Sequence, residues 1–350
     1  MNKLVLFRNL VTNIEYYFHE EPVKKLAFIF SPSLNRALDG NIYGGELFQK
    51  NGYDVINFKI SVDDWYQNIP VEVFDIIQNI ILEKSYLTKI SYGSSMGGYA
   101  AILFSKKLCC DFCITFSPQY SIHESFDTRW ASFCLNIDFK YTLSQECIHS
   151  QCKYFIFFDD KDLDNLHVQL LSKIIPSNIF NPIPISYIGH PSIYFFNEVN
   201  KLATLATDIL SGLVVDIRQL KIQRRKSKTY LYNIAKANLL KRRPLLALKL
   251  INLAIEIDEK EAKSYLLKGN IYELLANYPL ALENINKSCL LVGGDHPSVF
   301  HQRSFIYYKM GDIDAALVDV NKAISIAESD DRYRDELLKY VNHRNAILNI

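Results

Sequence analysis

The sequence predicts an α/β protein, a mostly parallel sheet with helices on both faces, followed by an all-α helical repeat domain. Short apolar runs alternate with helix-like segments in the first part of the chain, and parallel neighbouring strands need such crossover connections. From about Thr229 the apolar period becomes helical and a repeat begins. We therefore predict a sheet domain over residues 1–212, a basic linker or helix over 213–228, and about three repeats with a capping helix over 229–350.

Six apolar runs in the first part have the length and composition of buried strands. They span residues 24–32, 53–60, 88–93, 111–118, 153–160 and 182–190. The opening residues alternate with period two around a polar turn, which predicts an antiparallel hairpin at the sheet edge. Pro70 is well placed at the first turn of a helix over 70–84.

The repeat has matching alanines at Ala247, Ala281 and Ala316, spaced 34 and 35 residues apart, each preceded by a partner helix. This part of the chain resembles the tetratricopeptide repeat, because Gly269 and Tyr272 also match its small and aromatic positions. The resemblance implies a helical stack that binds a protein partner, with 332–348 as its capping helix. A generic helical bundle is the alternative.

Composition excludes several classes of function. Lys and Arg number 39 against 38 Asp and Glu, so nothing indicates a nucleic-acid partner, and the basic run over 221–228 is interpreted as a solvated linker. No apolar run is long enough for a membrane span, and no signal-peptide pattern opens the chain. The seven cysteines have no zinc-binding spacing. We expect reduced thiols, a cytoplasmic protein, and no metal or cofactor.

The pentad Gly93-Ser94-Ser95-Met96-Gly97 fits the pattern G-x-S-x-G and lies between a predicted strand and a predicted helix. In that context the central serine is a nucleophile on a sharp turn whose neighbours must be small. The pattern selects Ser95 rather than Ser94, and the Met96 N–H is predicted as one oxyanion donor. A Gly/Ser loop without chemistry is the alternative.

A serine nucleophile needs a base and an orienting acid, in the chain order Ser, Asp or Glu, His. His190 comes at the end of the predicted strand over 182–190 and is followed by a proline, so we predict that it is the base. Four aspartates, Asp159, Asp160, Asp162 and Asp164, lie at the end of the predicted strand over 153–160. Of these, Asp162 and Asp164 remain equal candidates for the acid, although Asp164 also suits a helix N-cap.

Together these motifs resemble the α/β-hydrolase superfamily, and in particular a bacterial group of serine hydrolases. The resemblance rests on the segments GSSMGGYAA (93–101), FSPQ (116–119), D-x-x-H (164–167) and GH (189–190). It implies an α/β-hydrolase-like sheet and a serine hydrolase or acyltransferase that acts on a glycan or another acylated substrate. It also implies a second oxyanion donor after the first central strand, where Pro32 has no N–H, so that Ser33 or Leu34 would serve.

The segment between Pro118 and Cys152 is long enough to be a cap over the site. Arg129 and Trp130 within it are candidate substrate-binding residues, by charge and by stacking on an anionic or sugar group. The alternative is a surface ion pair between Arg129 and Asp127 beside a packed tryptophan.

The leading hypothesis is an esterase, deacylase or O-acyltransferase that uses Ser95, His190 and an aspartate on an acylated small molecule or glycan. The alternative is a catalytically degenerate scaffold whose repeats bind a protein. Peptidase activity is compatible with the fold, but no residue favours it.

Overall fold

The computed structural model describes residues 1–33, 35–40, 43–130, 137–213, 215–294, 296–330 and 333–349. These residues separate into two compact units, Met1–Ile222 and Gln223–Ile350. The first unit ends inside the segment that the sequence predicted as a linker.

The first unit is built on one eight-stranded sheet with the spatial order β1-β2-β4-β3-β5-β6-β7-β8. β2 is antiparallel to both of its neighbours, and all other neighbours are parallel. The predicted edge hairpin and the mostly parallel sheet are confirmed. The strands are β1 (Asn2–Arg8), β2 (Thr12–Phe18), β3 (Lys25–Phe30), β4 (Asp54–Ile60), β5 (Thr88–Ser94), β6 (Phe112–Phe116), β7 (Lys153–Phe158) and β8 (Phe180–Pro184).

In the described residues, α-helices follow every parallel strand except β6, and they cover both faces of the sheet. Alternate residues of β3 show this, since Phe28 and Phe30 belong to one buried cluster while Ala27 and Ile29 belong to another. Burial on both faces explains why the strands are continuous apolar runs. The helices of this unit are α1 (Gly45–Lys50), α2 (Val71–Lys84), α3 (Met96–Leu103), α4 (Asp164–Ile174), α5 (Ile193–Glu198), α6 (Leu202–Leu210) and α7 (Ile217–Gln223), the last of which runs into the second unit by one residue.

The prediction of a strand over 182–190 is wrong beyond Pro184, where β8 ends. The reason is that a side chain, rather than a neighbouring strand, accepts hydrogen bonds from backbone N–H groups after Pro184. The buried carboxylate of Asp159, just after β7, accepts the N–H groups of Tyr187 at 2.8 Å and Gly189 at 2.7 Å. Tyr187 and Gly189 also have positive φ values of 66° and 72°, which a β-strand does not contain. The segment before His190 is therefore a loop around the Asp159 side chain and not a strand paired with its neighbour.

The second unit consists of consecutive helical hairpins. Ala247, Ala281 and Ala316 are each fully buried where the two helices of a hairpin cross, as the repeat predicted. A side chain on Gly269 would collide with Ile285 of the next helix. The helices are α8 (Lys228–Leu240), α9 (Pro244–Ile257), α10 (Ala262–Leu274), α11 (Tyr278–Leu291), α12 (Pro297–Met310), α13 (Ile313–Ser329) and α14 (Arg334–Leu348).

A pair of histidines joins α12 to α14 and makes the stability of this unit depend on pH. The rings of His301 and His343 are 4.9 Å apart. Burial, with smaller contributions from Lys339 and His343, lowers the pKa of His301 to about 4, and burial lowers the pKa of His343. In the unfolded chain His301 is protonated below about pH 6.5, its ordinary pKa. In the folded protein it is protonated only below about pH 4. The contribution of His301 to the free energy of unfolding is therefore fully present above about pH 6.5 and is lost as the pH falls toward 4.

We expect the free energy of unfolding to fall by about 2 kcal/mol through His301 between pH 7.5 and pH 5. Urea denaturation of wild type and His301→Leu at the two pH values measures this, and the variant should lose most of the pH dependence. His296→Gln, at the start of α12, is the control. An unchanged pH dependence in His301→Leu would contradict the assignment.

Candidate active site

Ser95 lies on the turn between β5 and α3, at the carboxyl end of a central strand. Its φ of 54° and ψ of −121° are a strained conformation for a residue with a side chain. The Ser95 N–H donates to the carbonyl oxygen of Phe116 on the neighbouring strand, at 2.8 Å. The turn is therefore held from the β6 side, and the Ser95 side chain is directed away from the strand axis.

The glycines around Ser95 are required by close backbone approaches. A Cβ on Gly93 would collide with the carbonyl group of Gly97, and a Cβ on Gly97 would collide with the carbonyl groups of Phe30 and Ser31. A Cβ on Gly98 would lie 3.1 Å from Cβ of Pro118, a milder contact. The G-x-S-x-G spacing thus permits the start of α3 to pack directly on the end of β3.

Ser95, His190 and Asp164 form one chain of contacts. Ser95 Oγ lies 3.0 Å from His190 Nε2, and His190 Nδ1 lies 2.9 and 3.0 Å from the two carboxylate oxygens of Asp164. The Asp164 carboxylate accepts a hydrogen bond from Nδ1–H, which leaves Nε2 free to accept from the Ser95 hydroxyl. The imidazole is 12% exposed and the carboxylate 1% exposed, so solvent reaches the histidine but hardly the acid.

Asp164 is a charged acid despite its burial. Burial opposes its ionisation, but the interactions with His190 and the charge of Arg129 lower the pKa of Asp164 below its usual value. The other candidate acid does not contact the imidazole. Asp162 instead accepts from the Leu163 N–H at 2.6 Å and from Arg129 Nη1 at 3.2 Å.

Arg129 is the centre of a partly buried ionic cluster, comprising Arg129, Asp127, Asp162, Asp164 and His167. Its guanidinium donates to both oxygens of Asp127 at 2.8 and 2.7 Å and to Asp164 at 3.1 Å. The expected Arg129–Asp127 ion pair exists, but a surface location is wrong, because the Asp127 side chain is fully buried. The planar guanidinium geometry, with five donors, permits this multiple engagement.

His167 completes the cluster from α4, one helical turn after Asp164. Its Nδ1 accepts from the Tyr120 N–H at 3.2 Å, so the proton is on Nε2, which donates to Asp127 at 2.9 Å. Burial opposes the charge on Asp127, yet the hydrogen bonds from His167 and Arg129 hold the pKa of that carboxyl below its usual range. The D-x-x-H segment therefore binds the segment that follows β6 at two points.

Gln119 is a residue of the site that the sequence did not predict, because its side chain does not titrate. Its Nε2 lies 3.2 Å from Ser95 Oγ and 3.3 Å from His190 Nε2. The available signal was its place in the FSPQ segment directly after β6. A side-chain amide at this position can donate to negative charge that develops near the serine. Asp159, one of the four aspartates that follow β7, holds the loop that carries His190.

Trp130 lies beside His190, with ring centroids 6.0 Å apart, and its other neighbour is Trp65 at 5.9 Å. The Arg129 guanidinium carbon is 6.0 Å from the Trp130 ring. The two predicted substrate-binding residues are thus placed differently, because Arg129 is held by carboxylates while Trp130 packs between the imidazole and the core. Residues 131–136 of the predicted cap lie outside the described residues.

The two predicted oxyanion donors lie on different elements. Met96 is the first residue of α3, where an N–H has no acceptor within its own helix. Ser33 is on the loop after β3, three residues beyond the end of that strand. Leu34, the alternative to Ser33, lies outside the described residues. The contact of Gly97 with Phe30 and Ser31 brings the beginning of this loop to the beginning of α3.

Within the ranges that the structure describes, no cluster of three or more His, Cys, Asp or Glu side chains is arranged to hold a metal ion. Over the same ranges, no helix has the length and apolar character needed to cross a bilayer.

One comparison with known proteins falls in the second unit. The family model for the tetratricopeptide repeat matches residues 297–330, which span α12 and α13. A TPR repeat-containing protein of Methanocaldococcus jannaschii is 36% identical over 80 residues, which are 23% of this chain and 14% of that protein. The match thus spans a small part of the relative. The second unit contains the predicted tetratricopeptide repeat.

Three solved structures illustrate weaker likenesses. PcrH from Pseudomonas aeruginosa is 17% identical, with 35% of this chain and 91% of that chain covered and a TM-score of 0.33. The type III secretion translocator chaperone SycD from Yersinia enterocolitica is 13% identical, with 40% and 96% covered and a TM-score of 0.33. MamA is 18% identical, with 35% and 78% covered and a TM-score of 0.28.

Proposed function

We propose that the first unit is a serine hydrolase or O-acyltransferase. The observation that carries the proposal is the continuous contact from Ser95 Oγ through the His190 ring to the Asp164 carboxylate. All three distances to or from the imidazole are hydrogen-bond distances, and the residues follow the chain order of G-x-S-x-G enzymes. Three residues from separate segments meet in the order that the chemistry requires.

In the proposed mechanism, Ser95 Oγ attacks the carbonyl carbon of an ester while His190 Nε2 accepts the hydroxyl proton. Asp164 keeps the imidazole in the tautomer that can accept, and it stabilises the imidazolium. The imidazolium then returns the proton to the leaving alcohol, which gives an acyl-serine. Water or a sugar hydroxyl, deprotonated in turn by His190, takes the acyl group and frees the serine.

The negative oxygen of the tetrahedral intermediates would be bound at the beginning of α3. The Met96 N–H and the positive end of this helix support that location. Ser33 on the loop after β3 is the proposed second donor. The Gln119 amide, in the segment after β6 and within hydrogen-bond distance of Ser95 Oγ, is the proposed third donor.

The substrate class is proposed as an acylated small molecule or glycan, because the resemblance to the bacterial hydrolase group points to glycan modification. Trp130, beside His190, supports this proposal, since an indole ring is a stacking surface for a sugar. The tetratricopeptide unit is proposed to dock the enzyme on a protein partner.

A second candidate function is a protein-binding module on a catalytically inactive scaffold. The observation that favours it is the family match, which falls wholly in the second unit. Under this hypothesis the function of the protein is binding of a partner by the helical stack, and Ser95 has no substrate.

Labelling with a fluorophosphonate probe separates the two functions. We expect wild type and Ser94→Ala to be labelled, and Ser95→Ala and His190→Ala to lose labelling, because only an activated serine attacks the probe. Ser94 is a matched control, since it is the adjacent residue and is equally buried. Absence of labelling in folded wild-type protein would refute the proposed serine hydrolase and would favour the protein-binding module on an inactive scaffold.

A further inference from the structure

The turn between α8 and α9 exposes leucines and cations together. This turn, Leu240–Leu246, is called the basic tip below, and its sequence is LKRRPLL. Leu240 is 77% exposed, Leu245 is 72% exposed and Leu246 is 45% exposed, while the three cations between them are exposed as well. Exposed apolar side chains that are grouped rather than scattered indicate a contact surface.

The sequence on both sides of the basic tip contains only positively charged residues. Between residues 217 and 255 the chain has eleven Lys and Arg residues and no Asp or Glu. Lys236 and Lys249, on the helices that meet at the tip, extend its positive charge. In the part of the chain that the structure describes, no carboxylate lies within ion-pair distance of Lys241, Arg242 or Arg243. A surface of this kind attracts a polyanion.

The other turns of the stack show that folding does not require this composition. Aligned by the buried alanines, the position of Leu245 is occupied by Pro279 in the next hairpin and by Asp314 in the one after. The second turn has partly exposed leucines at Leu274 and Leu275, but Ala276 and Asn277 stand where the cations would be. Cations between exposed leucines are thus specific to the first turn.

We propose that the basic tip docks on the surface of an anionic lipid bilayer. Lys241, Arg242 and Arg243 would contact the phosphates of the headgroups, and Leu240 and Leu245 would insert at the boundary with the acyl chains. Charge complementarity selects an anionic surface. The exposed leucines on both sides of the cations favour a membrane over an acidic peptide, because a bilayer offers an apolar layer beneath its charged surface. This inference is independent of the proposed catalytic function.

Co-sedimentation of the full chain with vesicles tests the proposal. We expect binding to phosphatidylcholine vesicles that contain phosphatidylglycerol, little binding to phosphatidylcholine alone, and weaker binding as salt is added. The double variants Arg242→Glu with Arg243→Glu and Leu240→Ser with Leu245→Ser should each reduce binding by about tenfold or more. Circular dichroism verifies that both remain folded, as substitutions of exposed residues allow.

Leu275→Ser, in the equivalent turn without cations, is the matched control and should bind as wild type does. Equal binding to both kinds of vesicle, or a leucine double variant that binds as wild type does, would overturn the proposal. Binding of soluble polyglutamate without binding of anionic vesicles would also overturn it, and would assign the tip to an acidic protein.

Discussion

Asp164→Asn should slow the labelling of Ser95 by a fluorophosphonate by about 10³- to 10⁴-fold, the loss that follows removal of the acid's charge in a triad. The amide has the size of the carboxylate, but its NH₂ group can turn toward His190 Nδ1 and favour the tautomer with the proton on Nε2. That nitrogen then cannot accept the Ser95 hydroxyl proton. The second-order rate constant for labelling, measured with the folded variant, is the appropriate quantity.

Asp162→Asn is the matched control for this experiment. Asp162 is two residues away and lies in the same ionic cluster, but its carboxylate contacts Arg129 and not the imidazole. We expect its labelling rate to fall by less than about tenfold. Equal losses in the two variants would mean that the negative charge of the whole cluster matters, and that orientation of His190 by Asp164 does not.

Gly97→Ala should destabilise the first unit by about 3 kcal/mol or more and abolish labelling. The added Cβ would collide with the backbone carbonyl groups of Phe30 and Ser31, which cannot rotate away as a side chain can. α3 must therefore move off the end of β3, and Ser95 and the Met96 N–H move with it. Urea denaturation and the labelling rate together measure the two effects.

Gly98→Ala provides the comparison, since its Cβ would meet Cβ of Pro118 at 3.1 Å. A shift of a few tenths of an ångström relieves that contact, so we expect a loss of about 1 kcal/mol and retained labelling. A Gly97→Ala variant as stable and as reactive as Gly98→Ala would contradict the packing of α3 on β3 described above.

Local sequence was sufficient to predict the sharp turn that contains Ser95. Gly93, Ser95 and Gly97 lie within one turn of chain, and the apolar run before them and the helical run after them define its context. The alanines of the second unit were predictable for a similar reason, because each helix pair repeats one pattern of close packing.

The position of His190 shows where such reasoning stops. The apolar run over 182–190 suggested a strand up to the histidine, and period and composition contain no sign that it ends at Pro184. The end of the strand depends on Asp159, a residue directly after β7 whose carboxylate accepts two backbone N–H groups. The same holds for the acid, since Asp162 and Asp164 have equivalent places in the sequence and differ in which of them lies next to the imidazole.

The sequence by itself thus determined the two kinds of architecture, the repeat, and the serine in its turn, because these depend on periodicity and on neighbours along the chain. Only the tertiary structure decided that Asp164 contacts His190, that Gln119 lies beside Ser95, and that Arg129 is held by three carboxylates. Each of these contacts joins residues from separate segments. Their side chains compete for the same few partners, and the outcome of that competition depends on distances of about one ångström, which no pattern of residue types records.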